Sequence, residues 1–224
     1  MYAPQHFRPD DETTGTLLEQ AVAGHLVTAT PQGPMATMLP LAVDRPGNRV
    51  LAHMARQNLQ WQTPWYGEAL IIVQGPHAYV SPSWYPSKGE HGRVVPTWNY
   101  VVMHITGTLR VHEDTAWVSD AVRFLTERHE QQRENPWSID DAPPAYLAGQ
   151  LRAIVGIEVE LARVEASVKM SQNKSAADYA GVVAGLTAQG DWASGEVAAM
   201  MQHGVGKVVS AAHGGHGGQP NSGE

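Results

Sequence analysis

Hydroxyl, aromatic and cationic side chains occur together in one short passage, residues 75–88. The members that could do chemistry are Ser81, Ser83, Trp84 and Lys88. They suit a flat, anionic ligand with a phosphate tail, because an aromatic face covers a ring, hydroxyls donate to the phosphate and a cation offsets its charge. A proline-rich surface loop with one aromatic anchor has the same composition, and composition alone favours that second interpretation.

Three further segments carry polar groups of the same kinds. Residues 94–100 place an asparagine between two aromatic residues, residues 169–175 combine two lysines with two serines and two amides, and residues 53–58 place an arginine at a strand end. A helix start favours anions, and the arginine fork offers a phosphate two parallel hydrogen bonds. Each segment also has a structural interpretation: a turn with a core tryptophan, an N-capped helix start and a surface ion pair.

The sequence of 224 residues contains no motif of the other common catalytic or metal-binding classes. The absence of cysteine excludes disulfides, thiolate nucleophiles and Cys-ligated metals. No HExxH, GxSxG, Walker or dinucleotide fingerprint occurs, so we expect no metal site; His213 and His216 in the glycine-rich tail are only weak candidates for a stray divalent ion. The glycines of residues 181–185 predict a close helix contact rather than a phosphate cradle.

The charge balance disfavours direct DNA binding. Fifteen Lys and Arg stand against 22 Asp and Glu, a formal charge of −7, and no basic run or helical stripe is visible. Affinity for DNA comes largely from neutralising phosphates, although a local patch assembled by the fold stays open. With no secretory start and no run of about 20 apolar residues, we expect a cytoplasmic protein without a membrane span.

The elements that must position these groups are mostly strands in sequence order. The patterns predict strands at 25–30, 35–44, 50–54, 69–73, 77–81, 97–111 and 154–162, and helices at 10–23, 114–132, 146–151, 175–186 and 195–202. Pro82 should end its strand, and Gly107 marks a bulge or close approach. Glu158 and Glu160 alternate with apolar residues, as in a half-solvated strand. The sum predicts a small closed or partly closed barrel with helices at its edges.

The same segments, in the same order, resemble the PaiB family of FMN-binding negative transcriptional regulators. The resemblance runs from Met1 to about Leu186 and is most specific over residues 75–100. One departure matters chemically: Met38 stands where a histidine is expected, which removes any polar contact of that imidazole.

The resemblance implies a mainly β protein with flanking helices, a split β-barrel of the pyridoxine-phosphate-oxidase type with an antiparallel Greek-key barrel. This domain would span residues 1–206, followed by a Gly/His-rich flexible tail at 207–224. A homodimer would hold FMN in a cleft between subunits, with Gln172 and Asn173 supplied by the partner chain. Arg56, Lys88 and Lys169 compete for the phosphate, and Trp84, Trp98 and Asn99 would flank the isoalloxazine. The full predicted set is His53, Arg56, Ser81, Ser83, Trp84, Lys88, Thr97, Trp98, Asn99, Lys169, Ser171, Gln172 and Asn173.

Three functions fit this sequence, in order of preference. The first is an FMN-binding negative transcriptional regulator of the PaiB type. The second is an FMN-dependent oxidoreductase acting on a small molecule, which needs no catalytic dyad because the flavin carries the chemistry. The third is a haem-binding protein on the same barrel, with His53, His77 or His104 as candidate axial ligands.

Overall fold

The computed structural model describes residues 1–204, which form two compact units. The first unit contains residues 1–2, 14–75 and 102–166, and the second contains residues 3–13, 76–101 and 167–204. The predicted tail at 207–224, with His213 and His216, lies outside the described residues. Over residues 1–204, no helix has the length and apolar character needed to cross a membrane.

Among residues 1–204, seven strands form one antiparallel sheet in the order β2–β1–β5–β6–β7–β4–β3. Within the first unit, β2 at one edge also approaches β4 near the other edge, so the sheet curls toward closure as a barrel requires. The strands are β1 Ala23–Thr30, β2 Gly33–Pro40, β3 Ala42–Asp44, β4 Arg49–Ala55, β5 Tyr66–Val80, β6 Thr97–His112 and β7 Ile154–Lys169.

The helices begin at side chains that accept hydrogen bonds from their first turns. Asp114 accepts from the backbone N–H of Trp117 at the start of α3, and Ser175 accepts from that of Asp178 at the start of α5. The helices of the described chain are α1 Asp11–Glu19, α2 Ser87–His91, α3 Thr115–Glu130, α4 Pro144–Arg152, α5 Ala176–Gln189 and α6 Trp192–His203.

The predicted break at Gly75 and Pro76 is wrong, because strand β5 runs without interruption from Tyr66 to Val80. Strand β1 pairs with β5 only as far as Ile72. Proline adopts extended backbone readily, and at this point its missing N–H removes no bond to β1. The predicted end of the strand before Pro82 is confirmed.

Other element limits also differ from the prediction. Helix α1 ends at Glu19 instead of Ala23, because the chain is already extended into β1 at Ala23. The strand predicted over residues 35–44 divides at Leu41, whose backbone N–H donates to the Val22 carbonyl. Strand β7 continues to Lys169 rather than ending at residue 162.

Glu158 is buried whereas Glu160 is exposed, so the predicted half-solvated face of β7 is confirmed at Glu160 and wrong at Glu158. Its carboxylate lies 3.1 Å from Arg49 Nη1 and 3.4 Å from His112 Nε2. The His112 ring stacks on Trp117 of α3, with 3.7 Å between centroids, and that indole packs directly on Gly156 of β7. Helix α3 therefore covers the face that alternation alone assigns to solvent.

The predicted close approach at Gly107 is confirmed. A Cβ built at this residue would overlap the backbone carbonyl of Glu160 on the neighbouring strand β7. Any side chain here would push the two strands apart, so glycine is required for steric reasons.

Candidate functional site

The two units divide the predicted binding residues unequally. His53 and Arg56 belong to the first unit, and the other eleven belong to the second. The loops predicted at 81–88, 97–99 and 169–175 therefore fold into one compact body, although they are far apart in the sequence.

Strand β6 and the loop that follows β7 are joined by two side-chain hydrogen bonds. Lys169 Nζ donates to Thr97 Oγ1 at 2.7 Å. Ser171 Oγ donates to Asn99 Oδ1 at 3.1 Å, and both of these side chains are buried. Asn99 also donates to the sulfur of Met201. Asn99 thus holds the loop in place from within the core, and its predicted position beside the flavin ring stays a prediction.

Among residues 1–204, no carboxylate forms an ion pair with the Lys169 ammonium. It lies 5.6 Å from the centroid of the Phe7 ring, in a cation–π contact, and donates to Thr97 on its other side. An ammonium has three donors, so two remain for a ligand. Phe7 is not among the predicted site residues, because nothing in the sequence connects it to residue 169.

The three lysines of the described chain share this property. Lys88 Nζ donates to Ser83 Oγ at 3.2 Å, and Lys174 Nζ lies 4.9 Å from the centroid of the Tyr85 ring. Over residues 1–204, none of the three lies within 4.0 Å of a carboxylate oxygen. All belong to the second unit, whose described part therefore carries three cationic groups without an ion pair in direct contact.

The loop after β5 is packed tightly on helix α5. The side chain of Ser81 accepts from the backbone N–H of Ser83. The Trp84 indole lies against Gly185, and a Cβ at Gly181 would overlap the Trp84 carbonyl. The prediction of a close helix contact at residues 181–185 is confirmed. One face of Trp84 is therefore used in packing, and its role beside a flavin ring stays a prediction.

The next residues of the same loop are held by a carboxylate of α5. Asp178 Oδ1 accepts from the Ser87 backbone N–H at 3.1 Å, and Asp178 Oδ2 accepts from Ser87 Oγ at 2.9 Å. Burial by itself would raise the pKa of Asp178, but the hydrogen bonds from Ser87 and Ser175 and the nearby Lys174 charge lower that pKa below its usual value. Asp178 is thus ionised at neutral pH. Sequence reasoning missed it, since one acid inside a helix has no distinguishing pattern.

The loop at 169–175 has a conformation set largely by its own side chains. Ser171 has a left-handed backbone, with φ 58°, and its hydroxyl bond to Asn99 supports this costly geometry. The Gln172 amide accepts from the Met170 N–H and donates to the Val168 carbonyl, both at 2.6 Å. Asn173 is exposed. The predicted contribution of Gln172 and Asn173 across a dimer stays a prediction.

An aromatic surface lies on the opposite face of β6 from Thr97 and Asn99. Trp98 is 46% exposed, and its Nε1 donates to Nδ1 of His77 on the adjacent β5 at 3.1 Å. Tyr79, 45% exposed, meets the same indole edge-on at 6.1 Å. We call His77, Tyr79 and Trp98 the aromatic wall. Sequence reasoning did not place His77 or Tyr79 beside Trp98 and named His77 only as a candidate haem ligand, although the two-residue spacing puts His77 and Tyr79 on one face of a strand.

In the first unit, Arg56 is occupied by protein groups. Its guanidinium donates to the carbonyls of Arg152 and Ile154 and pairs with Glu113 at 2.7 Å. It also lies over the Trp61 ring. These contacts give Arg56 a structural role between β4 and β7, and its predicted phosphate role stays a prediction.

Two of the candidate haem ligands titrate abnormally because they are shielded from water. Burial lowers the pKa of His53, whose buried Nδ1 has no hydrogen-bond partner. Burial and the nearby N-terminal charge lower the pKa of His104. Among the residues that the structure describes, no three His, Asp or Glu side chains are grouped as a metal site.

Comparison with known proteins identifies the family. A family model described as "Putative FMN-binding domain" matches residues 1–163. The chain belongs to this family. The family match ends before the loop at 169–175, so the Lys169 environment is a property of this chain that the match does not cover.

Two relatives show how far the family likeness extends. Protease synthase and sporulation protein PAI 2 of Bacillus subtilis is 30% identical over 213 residues, which cover 93% of this chain and all of that protein. An uncharacterized protein of Aspergillus fumigatus is 32% identical over 195 residues, or 80% of this chain and 70% of that protein. The resemblance to the PaiB family is confirmed.

Solved structures confirm the fold of this FMN-binding-family member. The flavocytochrome Anf3 of Azotobacter vinelandii aligns with a TM-score of 0.59 at 15% identity, covering 80% of this chain and 78% of that one. An FAD and heme binding protein of Mycobacterium smegmatis aligns with a TM-score of 0.50 at 14% identity, covering 82% and 79%. The predicted split β-barrel with flanking helices is confirmed, and these likenesses concern the fold alone.

Proposed function

We propose that this chain binds FMN and that Lys169 is the main cation for its phosphate. The observation that carries the proposal is the Lys169 ammonium, which contacts the Thr97 hydroxyl and the Phe7 ring and forms no ion pair with an acid of residues 1–204. Lys88, held only by an exposed serine hydroxyl, is the second cation. Each of the two ammonium groups has one hydroxyl acceptor and no ion pair among residues 1–204. A phosphate monoester would supply the negative charge and further acceptor oxygens.

The residues of the second unit fit FMN in two further respects. The aromatic wall offers the half-exposed face of Trp98 to a flat ring. Thr97, which accepts from Lys169, and Trp98 are consecutive residues at the start of β6, and we propose that the flexible chain of FMN passes this strand end. When bound, FMN would supply electron-transfer chemistry, and the chain's own residues bind and orient it.

We also propose that the chain acts as a homodimer, as the PaiB resemblance implies. The outward face of the β1–β2 hairpin is apolar, and Met38, which pairs with His25, is 62% exposed there. A patch of this kind on a sheet surface fits a second copy better than it fits water. Light scattering on the purified protein should give twice the chain mass of 24.3 kDa, and a concentration-independent monomer would refute the dimer.

Regulation of transcription belongs to the proposal only in an indirect form. A net charge of −7 opposes DNA binding, and two of the three lysines of the described chain, Lys88 and Lys169, belong to the proposed flavin site. We expect fluorescence anisotropy at low salt to show no sequence-selective DNA binding by the flavin-loaded protein. A sequence-selective complex would show that direct contact occurs.

The deciding experiment uses the protein as purified. An absorbance spectrum with flavin bands, followed by release and identification of FMN, is the expected result. Because purification can strip a flavin, apo protein is then titrated with FMN and with riboflavin, and FMN should bind more tightly. Protein that contains no flavin and binds neither compound at micromolar concentration would refute the proposal.

A further inference from the structure

Asp178 connects the loop that carries Lys88 to helix α5. Ser87 and Asp178 are 91 positions apart in the sequence, and both carboxylate oxygens of Asp178 accept hydrogen bonds from Ser87. Asp178 is only 8% exposed. Two hydrogen bonds to one residue fix orientation as well as distance, because a single bond would allow Ser87 to turn.

Lys88 follows Ser87 directly, at the start of α2. Within the part of the chain that the structure describes, its ammonium donates only to the hydroxyl of Ser83, on the exposed part of the same loop. The backbone between these residues is fixed on α5 at two places, by Trp84 against Gly185 and by Ser87 on Asp178. The direction of the Lys88 side chain therefore depends on the second of these attachments.

The carboxylate at residue 178 is chemically specific for this task. Ser87 presents two donors, its backbone N–H and its hydroxyl, and each needs an acceptor. An asparagine would offer one oxygen and turn an NH2 group toward the other donor. An Asp178→Asn change therefore alters one hydrogen bond and removes the negative charge near Lys174, while keeping the size and shape of the side chain.

We propose that Asp178 is a positioning residue that sets Lys88 for binding the phosphate of FMN. The proposal rests on the proposed function, because it assumes that Lys88 meets the ligand's phosphate. Asp178 itself touches no ligand: it acts through Ser87. Its effect should accordingly depend on two features, the phosphate of the ligand and the presence of the Lys88 ammonium.

The test is a double-mutant cycle measured with two ligands. FMN and riboflavin are titrated into wild type, Asp178→Asn, Lys88→Met and the double variant. We expect Asp178→Asn to weaken FMN about tenfold, since hydrogen bonds to charged groups contribute on this scale, and to leave riboflavin within about twofold. In the Lys88→Met background, Asp178→Asn should add little, because coupled residues are not additive.

Two variants accompany the cycle. Asp140→Asn is the matched control, because it neutralises an exposed carboxylate that accepts two hydrogen bonds from Arg123 in the first unit; both ligands should bind as in wild type. Ser87→Ala removes one of the two donors and keeps the other, so the test survives if Asp178→Asn fails to fold. It should weaken FMN about threefold.

The outcomes separate the two proposals. Equal losses for FMN and riboflavin, additive losses in the double variant, or no loss in either Asp178→Asn or Ser87→Ala would overturn the positioning role. Wild-type protein that binds FMN no better than riboflavin would refute the phosphate site itself, whatever Asp178 does.

Discussion

Replacing Lys169 with methionine tests the proposed phosphate site most directly. Methionine keeps the unbranched stem that reaches Phe7 but removes the ammonium. The change loses one protein hydrogen bond, to Thr97 Oγ1 at 2.7 Å, and the cation–π contact with Phe7, but no ion pair with any described acid. Its effect on ligand binding should therefore exceed its effect on folding.

The expected magnitude follows from the contacts that the ammonium can still make. A hydrogen bond to a charged group contributes about 1.5–3 kcal/mol. Because Lys169 is only partly buried, we expect the lower part of this range, a loss of FMN affinity of roughly 10- to 30-fold. Thr97→Val, which removes only the supporting hydroxyl, should cost less.

The assay is quenching of flavin fluorescence during titration of apo protein. Riboflavin should bind Lys169→Met and wild type alike, because it lacks the phosphate. Arg133→Met is the control for lost surface charge, since Arg133 is exposed and pairs with Glu130 in the first unit. An FMN affinity in Lys169→Met within about twofold of wild type would refute the reasoning.

Three further predictions concern packing, proton binding and the arginine. Gly185→Ala should destabilise the protein by about 1–3 kcal/mol in urea unfolding, because the new methyl group meets the Trp84 indole, although alanine is the better helix former. Gly195→Ala in α6 is the control: nothing lies within 4 Å of the new methyl group, and the change should stabilise the protein by about 0.5–1 kcal/mol. Burial lowers the pKa of His53 from 6.5, so the unfolded chain binds a proton at this residue more readily than the folded chain. The free energy of unfolding should therefore fall as pH drops from about 7 to 5. His53→Gln should flatten this slope, and an unchanged slope would contradict the assignment. Arg56→Ala should lower the free energy of unfolding by about 1–3 kcal/mol through the orphaned carbonyls, with FMN affinity unchanged, and a clear loss of affinity would restore its predicted phosphate role.

Local patterns were sufficient for much of the fold. Strand and helix positions follow from the alternation and spacing of apolar residues, and the caps at Asp114 and Ser175 follow from their hydrogen-bonding side chains. The glycines at 107 and at 181–185 predicted close approaches, because a residue without a side chain leaves room for a neighbouring backbone or ring. The errors arose where a distant element intervened, as at Glu158, which α3 covers.

The candidate site shows the same division more sharply. Residue types alone determined that this chain carries hydroxyls, aromatic rings and lysines suited to a flavin phosphate, since these are properties of each side chain wherever it lies. Only the tertiary structure decided that Lys169 meets Thr97 across 72 residues with donors to spare, whereas the donors of Arg56 serve nearby carbonyls. Whether the donors of a charged group are already hydrogen-bonded depends on which remote segments the group contacts, and local sequence periodicity does not predict those contacts.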